Sequence, residues 1–328
     1  MNSNLFTRAA VALLVCTGAW LTPAAHAQER FPSRPMRIIV AFGAGGSGDL
    51  IARAVATPMG AALGQTVAVE NRPGGNALPG TDHAARAPAD GYTILQYTTT
   101  LAVNMVLQPN VPYDLFRDFT PVALVAEAPL VLLTPSTSSN RTVAELIAYA
   151  KSRPEGVSFG HGGSGSMSHL SSELFKRSAG IGAVSVPYKG NAPAMNDLIG
   201  GRLDYYFSTV SDMVPNIRAG RLHALAVTSP QRDPLLPNVP TMVELGYKDF
   251  TPAVSWGFLV PRNTPAAVVA VLQDAVAKAI ASPTLQDTLK SVGASSASSG
   301  GPDAMTARIK ADIARWEPVI KAAGIKPD

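Results

Sequence analysis

The fold class is decided by Arg37-Ile38-Ile39-Val40-Ala41-Phe42-Gly43-Ala44-Gly45-Gly46-Ser47-Gly48-Asp49. The apolar first half of this stretch, Arg37 to Phe42, predicts a buried β-strand. The glycines predict a tight turn. The pattern from Asp49 onward predicts a helix that is interrupted at Thr57-Pro58, because proline removes a backbone hydrogen bond inside a helix. A strand that leads through glycines into a helix is typical of α/β proteins.

Strand and helix patterns alternate along the rest of the chain. Short apolar or β-branched runs predict further strands at 66–70, 93–97, 122–126, 130–134, 157–160, 183–186, 205–207, 223–227 and 256–260. Thr142 and Glu145 have the spacing of a capping box, which predicts a helix over 143–151. The segment 265–323 has a helical pattern almost throughout. We therefore predict an α/β fold with mostly parallel sheets flanked by helices.

A second glycine-rich junction lies between a predicted strand and an amphipathic helix. It reads Phe159-Gly160-His161-Gly162-Gly163-Ser164-Gly165-Ser166-Met167-Ser168-His169-Leu170. At such a junction the unpaired N–H groups of the helix point toward a bound anion, and glycine lets the anion approach the backbone closely. The two junctions therefore predict two loops, one in each half of the chain, whose backbone donors hold a carboxylate.

Two enzymatic hypotheses compete with simple binding. Gly43, Gly45 and Gly48 satisfy G-x-G-x-x-G and Glu70 ends the next predicted strand, so a dinucleotide-binding oxidoreductase is one alternative. A secreted esterase is the other, since Ser47 and Ser164 are flanked by glycines, although both lack the last glycine of G-x-S-x-G. Of the two, the esterase fits the sequence less well.

Other site types fit the sequence poorly. Asp49 stands where a phosphate-binding loop needs lysine. The histidines show no metal-ligand spacing, so we predict neither a metal nor a cofactor.

Composition excludes several protein classes. The chain has 328 residues, of which 46% are hydrophobic and 15% charged, which is typical of a folded protein and not of a disordered one. The single cysteine, Cys16, excludes a disulfide framework. The formal net charge is +4, but Lys and Arg are scattered singly, and this pattern does not indicate nucleic-acid binding.

The first residues have the features of a secretory signal. Arg8 precedes an apolar run over 9–21, and Ala25-His26-Ala27 matches the A-x-A cleavage pattern. The apolar run is shorter than the roughly 20 residues that a membrane span needs. We predict a signal peptide over 1–27, cleavage after Ala27, a periplasmic mature protein and no stable membrane insertion.

Taken in order, many short motifs resemble the Bug family, the extracytoplasmic solute receptors of tripartite tricarboxylate transporters. The motifs that carry the resemblance are Phe31-Pro32-Ser33-Arg34-Pro35, Val40-Ala41-Phe42-Gly43-Ala44-Gly45-Gly46 with Asp49 and Ala52-Arg53, Glu70-Asn71-Arg72-Pro73-Gly74, Asp90-Gly91-Tyr92-Thr93, Gly165-Ser166 with His169-Leu170, Val186-Pro187-Tyr188-Lys189-Gly190 with Ala192-Pro193-Ala194, Gly200-Gly201-Arg202, Ala219-Gly220-Arg221-Leu222 with Ala224-Leu225-Ala226-Val227-Thr228, and Leu236-Pro237-Asn238-Val239-Pro240-Thr241. Together they cover essentially the whole chain after the signal segment.

The resemblance implies a two-lobed periplasmic binding protein of type II-like architecture, in which each lobe is a mostly parallel sheet flanked by helices. We expect lobe 1 to comprise 28–128 plus 250–328, and lobe 2 to comprise 129–249. The resemblance further implies a non-enzymatic, monomeric receptor that closes on a small organic carboxylate between the lobes. The receptor would then deliver that ligand to permease subunits in the membrane.

By the same resemblance, the ligand is gripped by the two glycine-rich loops and by residues at nearby strand ends. The ligand-binding residues implied are Gly43, Ala44, Gly45, Gly46, Ser47, Asp49, Thr99, Gly163, Ser164, Ser166, Tyr188 and Thr209, with His169, Lys189 and Trp256 in supporting positions. Asp49 either touches ligand or caps the following helix, and the sequence leaves both open.

The sequence departs from the family pattern at two places. Gly48 stands where the family commonly has threonine, and Ser208-Thr209 stand where many relatives carry Asp or Asn. An acid at the second place could face a ligand ammonium, so its absence makes an amino-acid ligand less expected.

Overall fold

The computed structural model describes residues 31–297 and 301–327, and the predicted signal peptide over 1–27 lies outside them. In this part of the chain the strands are β1 (Met36–Val40), β2 (Val67–Asn71), β3 (Thr93–Thr98), β4 (Phe119–Pro135), β5 (Val157–His161), β6 (Ala183–Pro187), β7 (Tyr206–Thr209), β8 (Leu222–Val227), β9 (Ala253–Pro261) and β10 (Ser295–Ser296). The helices are α1 (Ser47–Leu63), α2 (Leu78–Ala85), α3 (Thr99–Leu107), α4 (Val143–Ser152), α5 (Met167–Ala179), α6 (Asn191–Ile199), α7 (Val210–Arg218), α8 (Ala266–Ile280), α9 (Pro283–Ser291) and α10 (Pro302–Ala323).

The strands confirm the α/β class, and the larger sheet contains both parallel and antiparallel pairs, where mostly parallel sheets were predicted. In the larger sheet the order is β10-β4-β9-β3-β1-β2, with β7 and β8 also paired to β4. β1 is parallel to β2 and β3, and β5 is parallel to β6, as the predicted strand-helix alternation requires. β9 is antiparallel to both β3 and β4, so the chain returns to the first strands in the opposite direction.

β4 is one long strand where the sequence predicted two. Its residues 119–129 pair with β9, and its residues 130–135 pair with β7 and β8. Pro129, which lacks a backbone N–H, falls where one set of partners ends and the next begins. The neighbouring Leu130 N–H donates to the Thr228 hydroxyl at 2.8 Å, so a side-chain oxygen takes the place of a backbone acceptor here. The strand therefore changes partners at the proline without ending.

β4 also separates two hydrophobic cores. Leu130 and Leu132 face a cluster that includes Phe159 and Phe207. Val131 and Leu133, which alternate with them, face a second cluster around α6 and α7. This alternation follows from the two-residue period of a strand whose two faces are both covered. The lobe boundaries expected at 128/129 and 249/250 remain a prediction.

Helix α1 continues through Pro58, so the predicted interruption at Thr57-Pro58 is wrong. Val55 and Met59, on either side of the proline, are completely buried. Packing of these side chains outweighs the loss of one backbone hydrogen bond. The capping box predicted for α4 is present, since the Thr142 side chain accepts from the Glu145 N–H and the Glu145 carboxylate accepts from the Thr142 N–H.

The C-terminal helix α10 is joined to the larger sheet by a buried polar cluster. The Tyr97 hydroxyl donates to Asp312 at 2.6 Å, and Arg308 donates to Asp312 at 2.8 Å and to Glu127 at 2.6 Å. Burial raises the pKa of Asp312, and the hydrogen bonds and charge of Arg308 oppose that rise. The pairing of Arg308 with Asp312 thus allows a carboxylate to lie inside the core.

Among the described residues, no single helix is both long and apolar enough to cross a membrane. One pair, α8 with α9, meets the length and composition requirement only when taken together, across a 66° bend.

Candidate functional site

A cavity of about 820 Å³ lies where several strands end and the following helices begin. Its wall takes residues from the junctions 42–49 (β1 to α1), 75–78 (before α2), 98–100 (β3 to α3), 162–168 (β5 to α5), 190–191 (β6 to α6) and 207–212 (β7 to α7), together with Gln108, Leu130, Val254 and Trp256. In α/β proteins the carboxyl ends of the strands are the usual place for a ligand. Helix amino ends face this cavity from several directions, which favours an anionic ligand.

The first glycine-rich loop is held in place by Asp49. The Asp49 carboxylate accepts from the Gly45 N–H at 2.9 Å, from Arg53 at 3.0 Å and from the Asn71 amide at 2.9 Å. Burial alone would raise the pKa of Asp49, but these hydrogen bonds outweigh it, so the pKa lies below its ordinary value. Asp49 is 3% exposed and stays ionised at neutral pH. It lines the cavity, yet its oxygens are engaged by the protein itself.

Gly45 has a positive φ of +84°, and a side chain there would be strained. This conformation lets its N–H turn toward Asp49. The sequence left open whether Asp49 contacts ligand or caps α1. The N-cap position belongs to Gly46. Asp49 instead stabilises the turn before the helix by accepting a hydrogen bond from the Gly45 N–H.

The second glycine-rich loop, residues 162–166, is held by hydrogen bonds to a neighbouring histidine and to serines. The Gly163 N–H donates to His161 Nδ1 at 3.2 Å, and the Gly162 N–H donates to the Ser168 hydroxyl at 3.2 Å. The rings of His161 and His169 stack with their centroids 3.9 Å apart. Gly163 has a φ of +126°, which only glycine adopts readily. Ser166 caps α5 by accepting from the His169 N–H at 3.3 Å.

The structure places most of the predicted ligand-binding residues at the cavity. Those that line it are Gly43, Gly46, Ser47, Asp49, Gly163, Ser164, Ser166 and Thr209, together with the supporting residue Trp256. Their contact with a ligand remains a prediction.

Other predicted residues are not part of the cavity lining: Ala44, Gly45, Thr99, Tyr188, His169 and Lys189. Thr99 is buried and accepts from the Ser255 N–H at 3.1 Å. The Tyr188 hydroxyl donates to Asp197 at 2.7 Å. Burial, with the Asp197 hydrogen bond, raises the pKa of Tyr188 to about 12. These side chains hold neighbouring elements together, and their strand-end positions alone could not reveal that.

Several lining residues outside the two glycine-rich loops were missed, among them Asn76, Asn191 and Asp212. Asn76 donates to Asn104 at 2.7 Å, while Asn191 accepts from the Tyr206 hydroxyl at 3.0 Å. Asp212 lies in the first turn of α7. A polar residue just before or just inside a helix was the available signal, but such residues are also ordinary caps.

Gly48 brings α1 close to the cavity wall. A Cβ at this position would lie 3.1 Å from Gln96 Oε1 and 3.3 Å from Trp256 Nε1. The Gln96 amide donates to the Gly48 carbonyl at 2.8 Å. The missing side chain thus leaves room for the indole, which stands beside Thr98 in the β3–β9 ladder.

Glu70 lies near the end of β2, as the dinucleotide hypothesis needs, but arginines pair with its carboxylate and it stays outside the cavity lining. It pairs with Arg72 at 2.6 Å and Arg37 at 3.6 Å, and it is not among the cavity-lining residues. Among the described residues, no group of His, Cys, Asp and Glu side chains has the arrangement of a metal site.

Comparison with known proteins points to one family. The family model described as "Tripartite tricarboxylate transporter family receptor" matches residues 51–325. A protein encoded in the tcbD-tcbE intergenic region of a Pseudomonas species is 39% identical over 305 residues, covering 92% of this chain and 90% of the relative. Protein BugT of Bordetella pertussis is 35% identical and covers 97% of each chain.

Solved structures agree with the sequence relatives. The periplasmic binding protein BugD has a TM-score of 0.76 and 34% identity, covering 91% of this chain and 100% of that chain. Rpa4515 of R. palustris, solved with adipate, has a TM-score of 0.78 and 36% identity, with the same coverage of 91% and 100%. MatC from Rhodopseudomonas palustris, solved with malate, has a TM-score of 0.74 and 31% identity, with coverage of 88% and 100%.

Proposed function

This chain belongs to the tripartite tricarboxylate transporter receptor family, and from that premise we propose that its cavity binds a small organic carboxylate. The protein would act as an extracytoplasmic receptor that presents the bound carboxylate to the membrane subunits of a tripartite transporter. Structurally similar relatives solved with adipate and with malate support this ligand class.

The observation that carries the proposal is the convergence of helix amino ends on one cavity. α1, α2, α5 and α6 begin at cavity-lining residues, and Thr98 and Thr209, the residues just before α3 and α7, line the cavity as well. Each amino end contributes backbone N–H groups and a partial positive charge of the helix dipole. Neutral N–H donors and helix dipoles can together hold a carboxylate without a charged side chain.

Ligand capture would proceed by closure of the two loops on the carboxylate. The loop 43–48 precedes a helix packed on the larger sheet, whereas the loop 162–166 follows β5 of the two-stranded sheet. Strand β4 changes partners between residues 129 and 130, next to cavity-lining Leu130. A hinge at this position would let the two loops approach without breaking either sheet.

In this proposal the protein binds its ligand and releases it chemically unchanged. Export by the predicted signal peptide, with cleavage after Ala27, would place the receptor in the periplasm. The receptor would act there as a monomer. The two loops fit this role, since the N–H groups of Gly45, Gly162 and Gly163 donate to side chains of the same loop segments and fix each loop before any ligand arrives.

A ligand screen with a cavity-filling control tests the proposal. The chain 28–328 is screened by thermal shift against monocarboxylates, dicarboxylates, tricarboxylates and aromatic acids, and hits are titrated by calorimetry. Gly46 has an ordinary φ of −77°, and the nearest atom to a Cβ there is the Gly43 carbonyl oxygen at 3.9 Å. Gly46→Trp should therefore fill the cavity without straining the loop.

We expect at least one carboxylate to bind with one-to-one stoichiometry to the wild type and to lose at least about tenfold in affinity in Gly46→Trp. Equal affinity of the two proteins would place the binding site elsewhere. Saturable binding of NAD or NADP instead of carboxylates would favour the oxidoreductase alternative.

A further inference from the structure

The charged side chains among the described cavity-lining residues are all acidic. Among the described lining residues, Asp49 and Asp212 are the charged side chains, and no Lys, Arg or His accompanies them. The ligand carboxylate therefore meets only neutral donors and carboxylates. The positions of the two acids decide which part of a ligand each one affects.

Asp49 is compensated by its surroundings. Arg53 forms a salt bridge with it at 3.0 Å, and Gly45 and Asn71 donate to its oxygens. With its charge balanced and its oxygens occupied, Asp49 contributes little repulsion to a ligand anion at the amino end of α1.

Asp212 has no such compensation. It is exposed, lies in the first turn of α7 and lines the cavity, and the described residues offer it neither a salt bridge nor a side-chain hydrogen bond. α2, α3, α5 and α6, which also begin at the cavity, carry no acid in their first turns. The positive amino end of α7 is thus offset by its own carboxylate, whereas the amino ends of the other four stay available to an anion.

Building on the proposed function, we propose that Asp212 sets the charge of the ligand at its far end. The receptor selects a carboxylate whose other end is a hydrogen-bond donor without negative charge, such as an amide, over the dicarboxylate of the same length. A second carboxylate at Asp212 would meet a like charge that no Lys or Arg side chain pairs with, while an N–H donor would gain an acceptor. The acid that the sequence lacks at Ser208-Thr209 is thus supplied by the same junction, within the first turn of α7.

Matched pairs of ligands test the proposal on the wild type alone. Succinate is compared with succinamate, glutarate with glutaramate, and adipate with adipamate, each titrated by calorimetry at one low salt concentration. For the chain length that binds best, we expect the monoamide to bind about tenfold more tightly than the diacid. A diacid that binds as tightly as its monoamide, or more tightly, overturns the proposal.

Two charge-neutralising variants assign the effect to Asp212. Asp212→Asn should reduce the preference for the monoamide to about twofold, mainly by improving the affinity for the diacid. Asp303→Asn is the matched control, because Asp303 is also an exposed acid in a first helical turn but is not among the cavity-lining residues. It should keep the wild-type preference. An unchanged preference in Asp212→Asn would overturn the assignment even though carboxylates bind.

Failure of the underlying function gives a different result. If neither the six compounds nor any carboxylate of the screen binds saturably to the wild type, while thermal melts show the protein folded, the carboxylate-receptor proposal is contradicted, and the role proposed for Asp212 falls with it. If diacids and monoamides bind equally well, the receptor function stands and only the role of Asp212 fails.

Discussion

The Asp49 carboxylate accepts a hydrogen bond from the backbone N–H of Gly45, four residues earlier, at 2.9 Å. An acid at the start of α1 therefore holds the turn that precedes the helix. The same carboxylate joins α1 to the end of β2 through Asn71. The shape of the first glycine-rich loop thus depends on one buried side chain as well as on its glycines.

Removing this carboxylate should damage both binding and stability. In Asp49→Ala the Gly45 N–H, the Asn71 amide and Arg53 all lose their acceptor, so we expect a loss of about 1–3 kcal/mol in the free energy of unfolding. The loosened loop should lower ligand affinity about tenfold or more. Urea denaturation and calorimetry measure the two effects. Leu50→Ala, at an exposed neighbouring position, should change neither; an Asp49→Ala protein that binds like the wild type would contradict this role.

The same carboxylate should make stability depend on pH. The pKa of Asp49 is lowered in the folded protein from an ordinary value of 3.8. Its stabilising contribution is therefore complete above pH 3.8 and is lost as the pH falls through the lower, folded-state pKa. As the pH falls below 3.8, the wild type should therefore lose more stability than Asp49→Asn. Parallel losses in the two proteins would show that Asp49 is not the titrating group.

A side chain at position 48 should disturb the cavity wall. Because a Cβ there lies 3.1 Å from Gln96 Oε1 and 3.3 Å from Trp256 Nε1, Gly48→Thr should displace the indole. We expect a shift of the tryptophan emission spectrum and a loss of ligand affinity of about tenfold. Gly301→Ala is the control, since a Cβ at Gly301 meets nothing within 4 Å, its φ is −75° and it is not among the cavity-lining residues. If Gly48→Thr bound ligand more tightly with an unchanged spectrum, the wall would have room that the structure does not show.

The buried cluster under α10 should control stability and not binding. Arg308→Met leaves the Asp312 carboxylate inside the core without its cation, which costs about 3–5 kcal/mol in the free energy of unfolding. Lys310→Met, on the exposed face of the same helix, should cost less than about 0.5 kcal/mol. Chemical denaturation of both variants gives the comparison. Similar stabilities for the two would mean that the cluster does not anchor the helix.

Local features of the fold were predictable from sequence, whereas features set by distant residues were not. The strand-glycine-helix junctions and the capping box at Thr142 depend on residues close together in the chain, and they appear as predicted. The contact of Tyr97 with Asp312 joins residues 215 positions apart, and no local pattern encodes it. The continuity of β4 through Pro129 likewise depends on where its partners change.

The candidate site divides in the same way. The glycine loops showed where an anion could approach the backbone, so Gly43, Gly46 and Gly163 were found at the cavity. Sequence reasoning could not tell that the Gly45 and Gly163 N–H groups are used inside the protein, because their acceptors, Asp49 and His161, could equally have faced a ligand. Asp212 was missed because an acid in a first helical turn is common.

Fluorescence of Trp256 gives the most direct test of the central claim that the cavity binds a carboxylate reversibly and leaves it unchanged. Trp256 lines the cavity, whereas Trp316 is completely buried and not among the lining residues, so in Trp316→Phe within the chain 28–328 the emission comes from Trp256 alone. Titration of this protein with the best carboxylate from the screen should give a saturable change at one equivalent, with the original compound recovered quantitatively after denaturation. An emission that stays flat while calorimetry records binding, or recovery of a different compound, would contradict the account.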